Sequence, residues 1–249
     1  MIIRVHRSCP SGRKIARALG WEFSSTHGDI NWGCRARRRN GINFNAPDSK
    51  AMARMAMQER GVQVPRSGFH FPIHKPYQVV LRPFRHRGGS CLILCEGTVD
   101  EAEGFYWQEF IEKSQEFRVH VAHGKILCVS EKPQQVEVAW NLHPAEVFST
   151  VDRRDWNLGV CLESVKAVEA LGLHFGAVDV CLDRDGEAYV LEVNMAPGIE
   201  GDYLLGKYCK YFQWLENNRD MWGFRWPYES YTKGKSYAWL NCHFNKIGQ

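Results

Sequence analysis

The sequence predicts an α+β fold with antiparallel pairing, on three observations. Apolar runs of strand length alternate with segments of helix-forming residues, without internal repeats. A hairpin stands out over 175–194, where two alternating runs, 176–182 and 188–193, flank Asp183-Arg-Asp-Gly186, a tight-turn composition. The chain has 249 residues, 44% of them hydrophobic, enough for one large domain or two small lobes with a sizeable core.

The elements follow in order. Residues 2–6 read as a strand, 11–19 as a short helix closed by Gly20, and 22–25 as a second strand. Asp29-Ile-Asn-Trp32-Gly33 reads as a strand end running into the basic cluster Cys34-Arg-Ala-Arg-Arg-Arg39. No aromatic residue interleaves with that cluster, which favours a solvated face over a nucleic-acid patch. Over 48–61, Asp48 is placed to cap a helix and Gly61 to end it, with Met52, Met55 and Ala56 as the apolar side and the methionines in the core. After Pro65 the chain reads as loop until the strand 77–83, which ends in Arg82. Phe84-Arg-His-Arg-Gly88-Gly89-Ser90 follows, then an apolar strand 91–94. Glycines between two strands let backbone N–H groups approach an anion, and the neighbouring arginines raise the case for phosphate. In the strand near 116–121, Glu116, Arg118 and His120 share one face, opposite Phe117, Val119 and Val121.

The 175–194 hairpin carries the most chemistry. Glu192 and Asn194 point to one face of the second strand. A two-residue loop sets Asp179 opposite either Val190 or Glu192, and both registers have the same parity, so Asp179 joins that face; an odd-length loop would flip it. Two carboxylates and an amide oxygen make a hard-oxygen site, suited to Mg²⁺ and poorly suited to Zn²⁺. Asp179 lies between Val178 and Val180, where an unpaired charge is costly, so a cation is its expected partner.

Composition narrows the classes. The net charge of +4 permits anionic ligands without arguing for nucleic acid. No run reaches the roughly 18 apolar residues of a membrane span, and Met1-Ile-Ile-Arg-Val-His6 is too short and too soon charged for a signal peptide, so a cytoplasmic protein is expected. The nine cysteines have irregular spacing and no CxxC pair, and are read as free thiols in a reducing compartment. HExxH, GxSxG and GxxxxGK are all absent.

An ordered set of motifs resembles the ATP-grasp superfamily, in particular carboxylate–amine ligases of the ribosomal-S6 glutamate ligase type. The set comprises Asn45-x-x-Asp48-x-Lys50 and Gly61-Val-x-Val-Pro65, Val79-Val-Leu-Arg82-Pro, Gly88-Gly89-Ser90, Gln108-Glu109-Phe110-Ile111, Glu116-Phe-Arg118-Val-His-Val, and Asp179 with Glu192-Val-Asn194-x-x-Pro197-Gly198. The resemblance implies two α+β lobes with ATP between them, preceded by a shortened α/β segment. The expected divisions are 1–44 for that segment, 45–104 and 105–210 for the lobes, and 211–249 for an aromatic C-terminal extension. It further implies that Arg82 stands where a lysine usually contacts the α- and β-phosphates, with Lys50 and Lys132 as further phosphate contacts. Gly88, Gly89 and Ser90 would form the flap. Gln108, Glu109, Phe110 and Ile111 would form the hinge whose backbone reads adenine, and Glu116 would accept from the ribose. Asp179, Glu192 and Asn194 would hold Mg²⁺, or Mn²⁺ in its place, and Arg118 would steady an acyl phosphate. The implied reaction joins an amino-acid, peptide or protein carboxylate to an amine, with release of ADP and phosphate. The alternatives are a silent ATP-binding regulatory or scaffold module and a nucleic-acid-associated protein using Arg35, Arg37, Arg38 and Arg39. Oligomeric state stays open, a homo-oligomer included.

Overall fold

The computed structural model describes residues 1–6, 9–34, 41–44, 47, 49–68, 78–83, 93–95, 105–134 and 148–223. The arginine cluster 35–39, Asn45, Asp48, the 84–90 segment with Gly88, Gly89 and Ser90, and residues 224–249 lie outside them.

The chain begins with β1 (Ile2–Val5), α1 (Pro10–Leu19), β2 (Glu22–Ser24) and β3 (Ile30–Trp32). These strands form a parallel sheet in the order β2-β1-β3. Pro10 sits at the first helical position, where its missing N–H is harmless, and Gly20 closes α1 at φ +68°, as its place in the sequence suggests. Helix α2 (Lys50–Glu59) is capped by Ser49, whose side chain accepts from the Met52 N–H, where the sequence suggested Asp48. Its buried residues are Ala51, Arg54 and Met57. Met52 and Met55 are 55% and 39% exposed, so the expectation that they are core residues is corrected. The helix lies along the second core with Met57 inward, which turns the 52/55 side to solvent.

Next come β4 (Ser67–Gly68), β5 (Val79–Pro83), β6 (Ile93–Cys95) and β7 (Phe105–Glu109), an antiparallel sheet ordered β4-β7-β5-β6. Strand β4 falls in a stretch expected to be loop, and β6 is placed one residue later than the sequence suggested. The third sheet is also antiparallel. It orders β10-β9-β8-β11-β12 from β8 (Gln115–Ala122), β9 (Lys125–Glu131), β10 (Ser149–Thr150), β11 (Phe175–Leu182) and β12 (Ala188–Asn194). Helix α3 (Leu158–Ala170) precedes β11 and α4 (Gly201–Asn217) follows β12. Hydropathy periodicity does not single out α3. It buries Val160, Cys161, Ser164, Val165, Ala167, Val168 and Ala170, a surround too wide for a polar face to stand out.

The five-stranded sheet divides the molecule. Phe117, Val119, Val121, Val129, Val178 and Val180 pack with α3 and Met57 into one core. A second core joins the N-terminal sheet and α1 to α4, with Trp32 stacked on Phe175 at 5.1 Å and edge-on to Tyr208 at 5.4 Å. Asn43, buried at φ +59°, ties the two units: its amide donates to the Phe175 carbonyl at 2.8 Å and accepts from the His174 N–H at 2.7 Å. No helix among the described residues is long and apolar enough to cross a membrane. The six described cysteines are free thiols.

Candidate functional site

The face of the five-stranded sheet that turns away from α3 carries the charged residues. Strand β8 places Arg118 opposite Asp179 of β11 and opposite Ser130 of β9. Asp179 in turn pairs with Glu192 of β12, and Asn194 lies two residues further along the same face. Four strands thus bring Arg118, Asp179, Glu192 and Asn194 to one place.

The route to that register differs from the expected one. The hairpin loop has three residues, 184–186: Asp183 accepts from the Gly186 N–H at 3.3 Å and its own N–H bonds the Glu187 carbonyl at 3.0 Å. Gly186 supplies the left-handed position at φ +84°. The two-residue loop is therefore corrected to an odd one, which alone would turn Asp179 to the opposite face. A β-bulge restores parity: Val180 pairs with Val190 while Asp179 pairs with Glu192, leaving Leu191 as the extra residue. Arg54 of α2 donates to the Leu191 carbonyl at 2.5 Å.

Asp179 is 4% exposed, and its partners are protein cations. Arg118 grips it with a two-pronged fork, Nε to Oδ1 at 2.8 Å and Nη2 to Oδ2 at 2.9 Å, and Lys132 Nζ lies 3.5 Å from Oδ2. Burial by itself would raise the Asp179 carboxyl, but the Arg118 and Lys132 charges outweigh it and hold the carboxyl below its ordinary value. Burial likewise opposes the Arg118 and Lys132 cations. The Asp179 charge overrides it in both, so both are held above their ordinary values. Lys132 also bonds Glu116 Oε1, and Lys113 holds Glu116 Oε2 at 2.7 Å, so both oxygens of Glu116 are engaged at 3% exposure. Arg118 stacks over Phe148 at 4.8 Å. His120 shares a 3.0 Å hydrogen bond with the Tyr208 hydroxyl. Burial, then the Arg118 charge, push it down to about 3, so it is neutral.

Lys50, at the start of α2, reaches Glu192 at 2.5 Å, and the Asn194 amide lies 3.0 Å from Glu192 Oε1 and 3.5 Å from Asp179 Oδ2. Among the described residues no group of three or more His, Cys, Asp or Glu converges as a metal site. The convergence here is two carboxylates and an amide. That donor set fits a hard divalent cation, with Asn194 turned to present its oxygen.

Arg82 of β5 lines a crevice with Lys50, Arg54, Tyr106, Leu191 and Glu192, so the four-stranded sheet meets the carboxylates across this gap. Of the expected hinge, Gln108 is 3% exposed, and the N–H groups of Glu109 and Phe110 are taken by the carbonyls of Arg66 and Gln78 at 2.8 and 2.9 Å. The Glu109 carboxylate holds Arg66 through two bonds, and Ile111 follows the strand end. On the other side of Arg118 a cleft of about 330 Å³ is lined by Ser130, Phe148, Thr150, Glu200 and Tyr203 among others. Sequence reasoning missed Arg54, Lys113 and Phe148. For Arg54 a signal existed: it stands one helical turn from Lys50, a lone cation between Ala51 and Met57.

A family model described as an ATP-grasp domain, the second family of its clade, matches residues 76–205. No curated protein matches the sequence. Among solved structures, a D-alanine–D-alanine ligase from Bacillus anthracis complexed with ATP superposes with a TM-score of 0.56 at 13% identity, over 88% of this chain and 98% of that one. The ATP-grasp ligase PsnB, solved with its minimal precursor, gives 0.50 at 17% identity over 68% of this chain. The chain spans 60% of PsnB's length in that match. At these identities the likeness establishes the fold.

Proposed function

The chain belongs to the ATP-grasp superfamily, and from that premise we propose that it uses ATP to join a carboxylate to an amine. The observation that carries the reading is the meeting of Arg118, Lys132, Asp179, Glu192 and Asn194 on one sheet face, with Lys50 and Arg82 at its edge. Asp179, Glu192 and Asn194 would hold Mg²⁺, which when bound neutralises phosphate charge. Arg82, Lys50 and Lys132 would bind the phosphates, and Arg118 would orient the acyl phosphate through its planar fork. The hinge at Gln108 to Ile111 would meet adenine through backbone groups other than the two N–H groups already engaged, and Gly88, Gly89 and Ser90 would cover the triphosphate.

In the proposed reaction a carboxylate oxygen attacks the γ-phosphorus and ADP leaves. The amine nitrogen then attacks the acyl carbon, loses a proton, and phosphate leaves. The chain contributes positioning and charge neutralisation. The cleft beside Arg118 has room for an amino acid or a peptide end, which makes these the acceptor class. Free thiols fit a cytoplasmic setting.

The test is ADP release from Mg-ATP across pooled amino acids, polyamines and peptides, with Glu192→Ala as the control. Release by the wild type alone, dependent on one pool, is the expected result. ATP binding without ADP release from any pool would replace the ligase reading with that of a nucleotide-gated binding module.

A further inference from the structure

Helix α2 turns one charged side chain into its buried face. Arg54 is 3% exposed and forms the floor of the crevice whose rim carries Lys50 and Arg82. It spends one N–H on the Leu191 carbonyl. Its Nε and Nη1, and the Nε of Arg82, are buried without a hydrogen-bond partner among the described residues. A buried donor on a charged group left unsatisfied costs about 1–3 kcal/mol or more. Two adjacent guanidiniums add repulsion: burial first, and the Arg82 charge second, push Arg54 down to about 10, with Tyr106 and Glu192 pulling the other way. Glu192, the carboxylate among the lining residues, is already bound by Lys50 at 2.5 Å and by the Asn194 amide at 3.0 Å. Three cations therefore face one engaged carboxylate. The crevice, about 20 Å³, admits a water-sized group, the size of one oxygen of an oxyanion.

We infer that this crevice is an oxyanion subsite in which Arg54 and Arg82 together clasp a phosphoryl group of a polyphosphate. The inference rests on the ATP reading above and adds Arg54 to it. Paired planar forks suit phosphate oxygens, and the subsite supplies the acceptors that the three buried N–H groups lack. Arg54 also holds the bulge carbonyl one residue before Glu192, so an anion bound there touches the same helix turn that sets the carboxylate register.

The experiment measures binding of tripolyphosphate and of ATP to the full chain by calorimetry and thermal shift. The wild type should bind tripolyphosphate, and Arg54→Gln and Arg82→Gln should each weaken both ligands about tenfold or more, the loss of a charge-assisted hydrogen bond. No binding of tripolyphosphate by the wild type, or wild-type affinity in a folded Arg54→Gln protein, overturns the subsite. Should Arg54→Gln fail to fold, undiminished tripolyphosphate binding by Arg54→Lys and Arg82→Gln overturns it equally. Tripolyphosphate binding that needs Arg54, in a protein that does not bind ATP, would leave the subsite standing and remove the ATP reading. ATP binding indifferent to Arg54 and Arg82 would do the reverse.

Discussion

The two sides of β12 treat buried charge in opposite ways. Toward β8, β9 and β11 each buried charge has an opposite partner within 3.5 Å: Arg118 and Lys132 on Asp179, and Lys132 with Lys113 on Glu116. Toward α2 and β5, Arg54 and Arg82 keep N–H groups without partners among the described residues. The first network is closed. It holds its side chains in place before any ligand arrives, and its stability depends on keeping both signs present. The second is open, and its unspent hydrogen bonds favour an arriving anion.

The largest expected effect breaks the closed side. Asp179→Ala strands Arg118 and Lys132 in the sheet and should lower unfolding stability by about 3–5 kcal/mol in urea titration. A loss under about 1 kcal/mol would mean that the network is solvated and the contrast is false.

Acid should act on the closed side next. His120 and His123 are held down to about 3 and about 4, chiefly by burial, the second also by the neighbouring His174. The unfolded chain takes up these protons near pH 6.5, so below that pH it binds more protons than the folded one. Stability then falls with pH, by up to about 1.4 kcal/mol per pH unit for each histidine, until the folded values are reached. Below about pH 4 the depressed Asp179 carboxyl adds to the loss. Unfolding curves that coincide between pH 7 and pH 5 would contradict the buried neutral histidines.

The smallest effect is expected on the open side. Arg54→Met gives up one hydrogen bond to Leu191 but removes an unsatisfied buried charge, so ligand-free stability should change by less than about 1 kcal/mol. A cost like that of Asp179→Ala would show that Arg54 belongs to a closed network too.

Local patterns made part of this visible in advance. Alternation placed Glu116, Arg118 and His120 on one strand face, and Pro10 and Gly20 bracket α1 where propensity puts them. Asp179 was legible as a buried carboxylate needing a cation because it interrupts a run of valines, yet the cations that answer it stand 61 and 47 residues away in the chain. Met52 and Met55 misled because helical spacing shows that a helix has an apolar side without showing which side meets a core. That was decided by the packing of Met57 against α3 and the five-stranded sheet.

What the sequence by itself determined is the family, the alternation of strands and helices, and the identity of the groups that converge, since motif order and period-two spacing are properties of the chain. The register that brings Asp179 to Glu192 was decided only in three dimensions. An odd loop and a bulge at Leu191 each shift parity by one and cancel, and the bulge depends on a carbonyl held by Arg54, 137 residues earlier. Such a contact leaves no local trace in the sequence, because its free energy exists only when both elements are already packed.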